Sequence, residues 1–80
     1  MAYEILIRGE HVVAETLAAI SAAYCERRDK AFEGASTFPC DVKVRQVGYR
    51  LPFARISYNG RIWRDTSWQP GDEPIYDNRT

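Results

Sequence analysis

The dipeptide Asn59-Gly60 constrains the fold more than any other short segment, because alternating apolar and polar residues flank it at 53–58 and 61–66. Asn-Gly supplies the two positive φ angles of a type I′ turn, the turn that favours a two-residue β-hairpin loop. We therefore predict that the two stretches pair as a hairpin. A two-residue loop also sets the register, because the strands then pair outward from Tyr58 and Arg61.

This register assigns the residues of the hairpin to two faces. The side expected to face the core carries Ala54, Ile56, Tyr58 and Trp63. The outer side carries Phe53, Arg55, Ser57, Ile62 and Arg64. Arg55 is then predicted to lie opposite Arg64, and like charges in that position destabilise a sheet by a few tenths of a kcal/mol. Since folding does not favour this pair, we infer that an anionic group meets the outer side.

The rest of the chain predicts one helix and two more strands. Residues 3–8 alternate and are rich in β-branched side chains, which is typical of a strand. Residues 10–33 change to a helical period and precede Gly34, a helix stop, so we predict one long helix. Its apolar stripe consists of Val13, Leu17, Ile20, Tyr24 and Ala31. Residues 41–47 alternate again and predict a strand with its valines facing the core.

These elements predict an α+β fold in two layers, β-α-β-β-β, with one long helix packed on an antiparallel sheet. We expect a single domain over residues 1–68. Residues 69–80 contain two prolines, a glycine and three acidic residues, which indicates an extended acidic tail. A chain of 80 residues buries only about 60% of its unfolded surface, so we expect a small core without a deep pocket.

The chain has no net charge, with eleven basic and eleven acidic residues, but the charges are unevenly distributed. Residues 41–64 carry six basic residues and one acidic residue, Asp41. A strand at 41–47 beside the hairpin would add Lys43 and Arg45 to the outer side. Such a basic face has three interpretations: a solvated surface, a surface covered by acids of the same chain, or a binding surface. The covering acids would be Glu4, Asp72, Glu73 or Asp77.

We hypothesise a binding surface, because arginines beside exposed aromatic residues are typical of protein interfaces. The predicted partner-binding residues are Lys43, Arg45, Phe53, Arg55, Arg64 and Trp68. A protein partner with an acidic surface is favoured over nucleic acid, since the net charge is zero and the acidic tail would repel phosphates. A small nucleic-acid-binding module is the alternative. A third alternative is a subunit that completes its core by forming a homodimer.

The sequence contains no catalytic or cofactor motif, so we expect a protein that is not an enzyme and that holds no cofactor or metal. His11 and Glu15 have the i, i+4 spacing of a helical ligand pair, but a single histidine without a Cys-x-x-Cys motif favours a helix-start pair. Cys25 and Cys40 are expected to stay thiols, because no export signal is recognised. Without an apolar run that could span a membrane, we expect a cytoplasmic protein.

Residues 53–63, with the sequence FARISYNGRIW, resemble the central hairpin of the AP2-type and phage-integrase arm-binding domains. In those domains a three-stranded sheet reads DNA and the helix follows the sheet, whereas here the long helix is predicted before it. The resemblance supports the nucleic-acid alternative. The length of the chain is similar to that of phage-encoded inhibitors of host machinery, anti-CRISPR proteins among them, which implies a phage-type inhibitor as a narrower form of the binding function.

Overall fold

A computed structural model describes residues 2–34, 36–65 and 69–78. In these residues the chain forms β1 (Tyr3–Ile7), β2 (Glu10–Ala14), α1 (Leu17–Ala31), β3 (Val42–Gln46), β4 (Ala54–Ile56) and β5 (Ile62–Arg64). The strands make one antiparallel sheet in the order β2-β1-β3-β4-β5. The predicted α+β fold, with one helix packed on an antiparallel sheet, is confirmed.

Residues 10–14 differ from the prediction, because they form a strand and not the start of the helix. Arg8 and Gly9 have φ angles of 48° and 84°, the two positive values of a type I′ turn. This two-residue loop places Ile7 opposite Glu10 and returns the chain along β1. The two adjacent valines of β2 are β-branched, which favours a strand over a helix.

The helix α1 begins after Thr16, whose hydroxyl oxygen accepts a hydrogen bond from a first-turn amide at 3.1 Å. Its residues Ile20 and Tyr24 are fully buried against the sheet, as the helical stripe predicts. The hydroxyl of Tyr24 donates a hydrogen bond to the Pro39 carbonyl at 2.6 Å. Burial raises the pKa of Tyr24 from 10.0 to about 12, so the phenol keeps its donor proton even at pH values where an exposed tyrosine ionises.

The core lies between α1 and one face of the sheet. Its buried hydrophobic residues are Ile5, Ile7, Val12, Ile20, Tyr24, Phe38, Val42, Val44, Ala54, Ile56 and Ile62. Every strand contributes to this set, and the two valines of β3 face inward as predicted. The opposite face of the sheet is therefore left for contacts outside the core.

The β4–β5 hairpin forms where it is predicted, but its loop is one residue longer. Asn59 keeps a negative φ, and Gly60 takes a φ of 91°. The amide of Gly60 donates to the Ser57 carbonyl at 2.8 Å, and the amide of Ser57 donates to the Arg61 carbonyl at 2.9 Å. The loop is therefore a three-residue one that ends in a left-handed glycine, instead of a type I′ turn.

The longer loop shifts the register by one residue, which exchanges the faces of β5. Arg55 lies opposite Trp63, and Arg64 lies opposite Ala54, so the predicted Arg55–Arg64 pair is wrong. Ile62 is fully buried, whereas Trp63 is only partly buried and shares the side of Arg55. The predicted positions of these two residues, Trp63 in the core and Ile62 outside, are therefore wrong.

The described part of the predicted tail lies along the free side of β5. Ile62 pairs with Tyr76, with main-chain hydrogen bonds of 2.8 and 2.9 Å around this bridge. Asp77 adds an ion pair with Arg61 at 3.3 Å. This segment covers one edge of the sheet, while β2 forms the other edge.

Candidate binding surface

We call the face of the sheet opposite α1 the outer face. Strand alternation and register place on it Glu4, Leu6, His11, Val13, Lys43, Arg45, Arg55 and Trp63. The β1–β2 end of the outer face is apolar, since Leu6 and Val13 are 61% and 55% exposed. The β3–β5 end carries most of the charges. The surface therefore combines an apolar part with a charged part.

A like-charge pair does occur on the outer face, although not the predicted one. Lys43 on β3 lies directly opposite Arg55 on β4. Each cation has its own carboxylate, because Lys43 contacts Asp65 and Arg55 contacts Asp41 at 2.9 Å. These two acids lie just outside the strands and neutralise the pair, which removes the cross-strand repulsion that like charges cause.

Glu4 holds together the centre of the outer face. It is only 9% exposed, and its Oε1 forms an ion pair with the Arg45 guanidinium at 2.8 Å. Its Oε2 lies 2.5 Å from Nε2 of His11. A carboxylate this buried needs partners for both oxygens, and the two neighbouring strands supply them. Glu4 borders a cleft of about 300 Å³ that is also lined by Ile5, Leu6, His11, Lys43, Arg45 and Pro52.

A second cleft opens beside Arg55, and we call it the Arg55 cleft. It has a volume of about 330 Å³ and is lined by Arg55, Trp63, Arg64, Gly71, Asp72 and Glu73. Among the described residues Arg64 forms no ion pair, in contrast to Arg55 and the other cations of the outer face. The cleft thus combines an arginine that forms no ion pair among the described residues with an indole ring and two acidic residues.

The structure brings together four of the six predicted partner-binding residues. Lys43, Arg45 and Arg55 share the outer face, and Arg64 joins Arg55 in the Arg55 cleft. Phe53 precedes β4 and is 39% exposed, and its ring centre lies 5.8 Å from that of Tyr3. Trp68 lies outside the described residues.

Sequence reasoning missed three residues of this surface. Asp41 is two residues before Lys43 and four before Arg45, so strand alternation already predicts that it lies on their face. Trp63 is predicted to face the core because the predicted register is displaced by one residue. Asp65 has the parity of Trp63, so the same shift brings it to the outer side. Glu4 was among the proposed covering acids, and it does pair with Arg45.

Other candidate chemistry finds no support in the described part of the chain. His11 lies on β2 and faces Glu4, so the predicted helical pair with Glu15 is wrong. The described residues contain no group of three or more His, Cys, Asp or Glu side chains that could hold a metal ion. Within the same residues Cys25 and Cys40 are not joined in a disulfide. None of the described helices is long and apolar enough to cross a membrane.

Comparison with protein-family models, with curated proteins and with solved structures finds no match for this chain. The interpretation of the surface therefore depends on its own geometry and charges.

Proposed function

We propose that this chain is a non-catalytic binding protein that docks on a protein partner through its outer face and the Arg55 cleft. The observation that carries this proposal is the charge arrangement of the face. Lys43, Arg45 and Arg55 are each paired with a carboxylate of the same chain. A surface with paired charges and exposed apolar side chains resembles a protein interface, in which charged groups must be neutralised before water is removed.

The same arrangement disfavours nucleic acid as the partner. A protein gains free energy on binding nucleic acid when its lysines and arginines neutralise phosphates and release the counterions of the nucleic acid. Three cations of the outer face are already paired with carboxylates of this chain, so they are less available for phosphates. Asp72 and Glu73, which also line the Arg55 cleft, would repel the repeated charges of a phosphate backbone more than a single carboxylate. The nucleic-acid module is therefore the second candidate, and the DNA titration described below tests it.

The Arg55 cleft is the part of the surface best suited to anchor a partner. Trp63 and Arg64 are of the residue types that dominate binding energy in protein interfaces. Because Arg64 forms no ion pair among the described residues, an acidic side chain of the partner would give it one. We therefore propose that the partner presents an acidic group beside an apolar surface. The narrower function of a phage-type inhibitor rests on chain length alone and stays a prediction.

The test compares two matched substitutions in the full chain. Arg64→Thr removes the arginine of the cleft, and Arg50→Thr removes an exposed arginine of the β3–β4 loop; neither arginine forms an ion pair within the described ranges of the chain. Proteins captured from the native host are identified and purified, and their affinities for both variants are measured by calorimetry. We expect Arg64→Thr to weaken binding by about tenfold or more, because a charged anchor is lost. Thermal stability should stay unchanged in both variants.

Two results would contradict the proposal. One is equal affinity of the Arg64→Thr variant and the wild type for every captured protein. The other is micromolar or tighter binding of random duplex DNA at physiological salt, with a steep salt dependence, that disappears when Arg64 is replaced.

A further inference from the structure

The two edges of the sheet are protected differently. At one edge, β5 is covered by the bridge between Ile62 and Tyr76. At the other edge, β2 has β1 as its neighbour on one side, and no described residue pairs with its other side. An open edge strand offers unpaired N–H and C=O groups to another strand, and proteins usually block it with lysine, proline or a bulge. The sequence of β2, Glu-His-Val-Val-Ala, contains neither lysine nor proline.

The turn before β2 decides which main-chain groups point outward. In a hairpin with a two-residue type I′ loop, the residues next to the loop, here Ile7 and Glu10, form a hydrogen-bonded pair. The main-chain groups then alternate along β2. Those of Val12 point toward β1, and those of His11 and Val13 point away from the sheet. Two residues with both a donor and an acceptor are therefore available at this edge.

We propose that β2 pairs antiparallel with β2 of a second copy of this chain, so that two sheets join into one across a two-fold axis at Val12. In this register His11 lies opposite Val13 of the second copy, and the reverse pair forms by symmetry. Both pairs exchange N–H and C=O hydrogen bonds, so all the outward groups of His11 and Val13 find partners. A two-fold axis at His11 would place Val13 opposite Gly9, and an axis at Val13 would place His11 opposite Glu15. Both of these partners lie outside β2.

The side chains of β2 are compatible with this symmetric pairing. Glu10 faces Ala14 of the second copy, so the two glutamates do not meet. On the outer face, Val13 lies beside His11 of the second copy, and the two largely exposed Val13 side chains form a small apolar patch diagonally across the seam. Such self-complementarity favours a second copy over an unrelated extended peptide. The dimer is independent of the Arg55 cleft, which lies at the opposite end of the sheet.

Analytical ultracentrifugation of the purified full chain over a range of concentrations tests the dimer without any partner. The wild type should sediment as twice 9.2 kDa at high concentration. Val13→Lys places a charge in the apolar patch, and Val13→Pro removes an outward N–H that β1 does not use. Each substitution should raise the dimer dissociation constant by more than about tenfold. Val47→Lys is the matched control, because Val47 is 47% exposed and lies after β3, away from β2.

Amide hydrogen exchange supplies a second measurement in the wild type. The amides of His11 and Val13 should exchange rapidly in dilute protein and slowly in concentrated protein, while the amide of Val12 stays protected in both. A mass of 9.2 kDa at every concentration would overturn the proposal. A dimer that survives both Val13 substitutions, or that Val47→Lys dissociates equally well, would overturn it too, because the contact would then lie elsewhere.

Discussion

The two hairpins of the sheet share one hydrophobic core with α1, but their loop ends contact the helix and the residues just after it by different kinds of interaction. The loop end of the β1–β2 hairpin forms exposed ion pairs. Arg8 in its loop makes two hydrogen bonds to the Glu33 carboxylate at 2.6 and 2.7 Å. Glu10, the first residue of β2, accepts two from Arg27 at 2.7 and 2.9 Å. Each arginine lowers the pKa of its carboxylate partner below the ordinary value of 4.5 by donating these hydrogen bonds.

The β4–β5 hairpin is held by close contact and by bonds to main-chain carbonyls. The hydroxyl of Ser21, a buried helix residue, donates to the Gly60 carbonyl at 2.7 Å. Arg28 donates to the Tyr58 carbonyl at 2.8 Å, and its guanidinium lies 5.4 Å from the centre of the Tyr58 ring. This loop leaves no room for a side chain at its glycine, because the helix passes directly over it.

The comparison teaches that the loop end of the first hairpin meets the helical region through ion pairs, whereas the loop end of the second meets it through close packing and hydrogen bonds to carbonyls. The attachment of the β1–β2 hairpin should respond to pH and change little with the volume of its loop. The contribution of the β4–β5 loop to stability should fall when atoms are added at the contact and should not change with pH. Substitutions at equivalent positions of the two hairpins separate these behaviours.

The largest expected effect is that of Gly60→Ala. A Cβ at this position would lie 2.6 Å from the Cys25 sulfur and 2.6 Å from the amide nitrogen of Asn78. Both atoms are side-chain ends that must shift, and the φ of 91° adds backbone strain, so the substitution should cost about 2–3 kcal/mol of unfolding free energy. Gly9→Ala is the matched control, since φ is also positive there but nothing lies within 4 Å of the added carbon. It should cost about 1 kcal/mol, from backbone strain alone. Urea denaturation measures both, and equal losses would show that the helix does not press on the second loop.

An intermediate effect is expected for Ser21→Ala. The substitution removes the donor to the Gly60 carbonyl in a buried place, and leaving such a carbonyl unpaired costs about 1–3 kcal/mol. Ala22→Ser is a suitable control, because it changes the same atoms at the next, exposed position of the helix. Thermal denaturation of the two variants provides the measurement. An unchanged midpoint for Ser21→Ala would show that this hydrogen bond does not stabilise the contact between the helix and the β4–β5 loop.

The smallest effect is expected from acid. Since the folded-state pKa values of Glu10 and Glu33 are lowered, their ion pairs stabilise the fold above pH 4.5. This contribution is lost as the pH falls through the lowered values. A chain with both Glu10→Gln and Glu33→Gln should therefore lose less stability than the wild type between pH 7 and pH 3.

The Ser21→Ala variant serves as the control for the acid experiment, because its hydrogen bond involves no group that titrates in this range. It should keep the pH dependence of the wild type at a lower absolute stability. Denaturation curves at several pH values compare the three chains. Parallel pH profiles for the wild type and the double variant would contradict an electrostatic attachment of the first hairpin.

Local pattern was sufficient for the class of fold and for most of the inward-facing residues. Alternation predicted β1 and β3, and the helical period predicted that Ile20 and Tyr24 are buried. It also predicted that Lys43, Arg45 and Arg55 share the outer face. These features depend only on the geometry of a single strand or helix, which every residue of the segment follows.

Long-range contacts decided the features that local pattern misplaced. Arg8 is a poor residue for a left-handed turn by propensity, so β2 carried no hairpin signal in the sequence. The fold holds Arg8 there through Glu33 and by stacking its guanidinium 5.2 Å from the centre of the Phe38 ring. Asn59-Gly60, by contrast, favours a two-residue loop, but its glycine also suits the left-handed last position of a three-residue loop, which the observed register uses.

The sequence by itself determined an α+β sheet with a charged outer face, because alternation and helical period are properties of each segment. The tertiary structure decided the register of β5 and, with it, the composition of the candidate site. The shifted register buries the smaller Ile62 beneath the helix and leaves the indole of Trp63 outside, where its Nε1 donates to the Ser57 hydroxyl at 3.2 Å. A core this small accommodates the isoleucine, and the tryptophan keeps a hydrogen-bond partner at the surface.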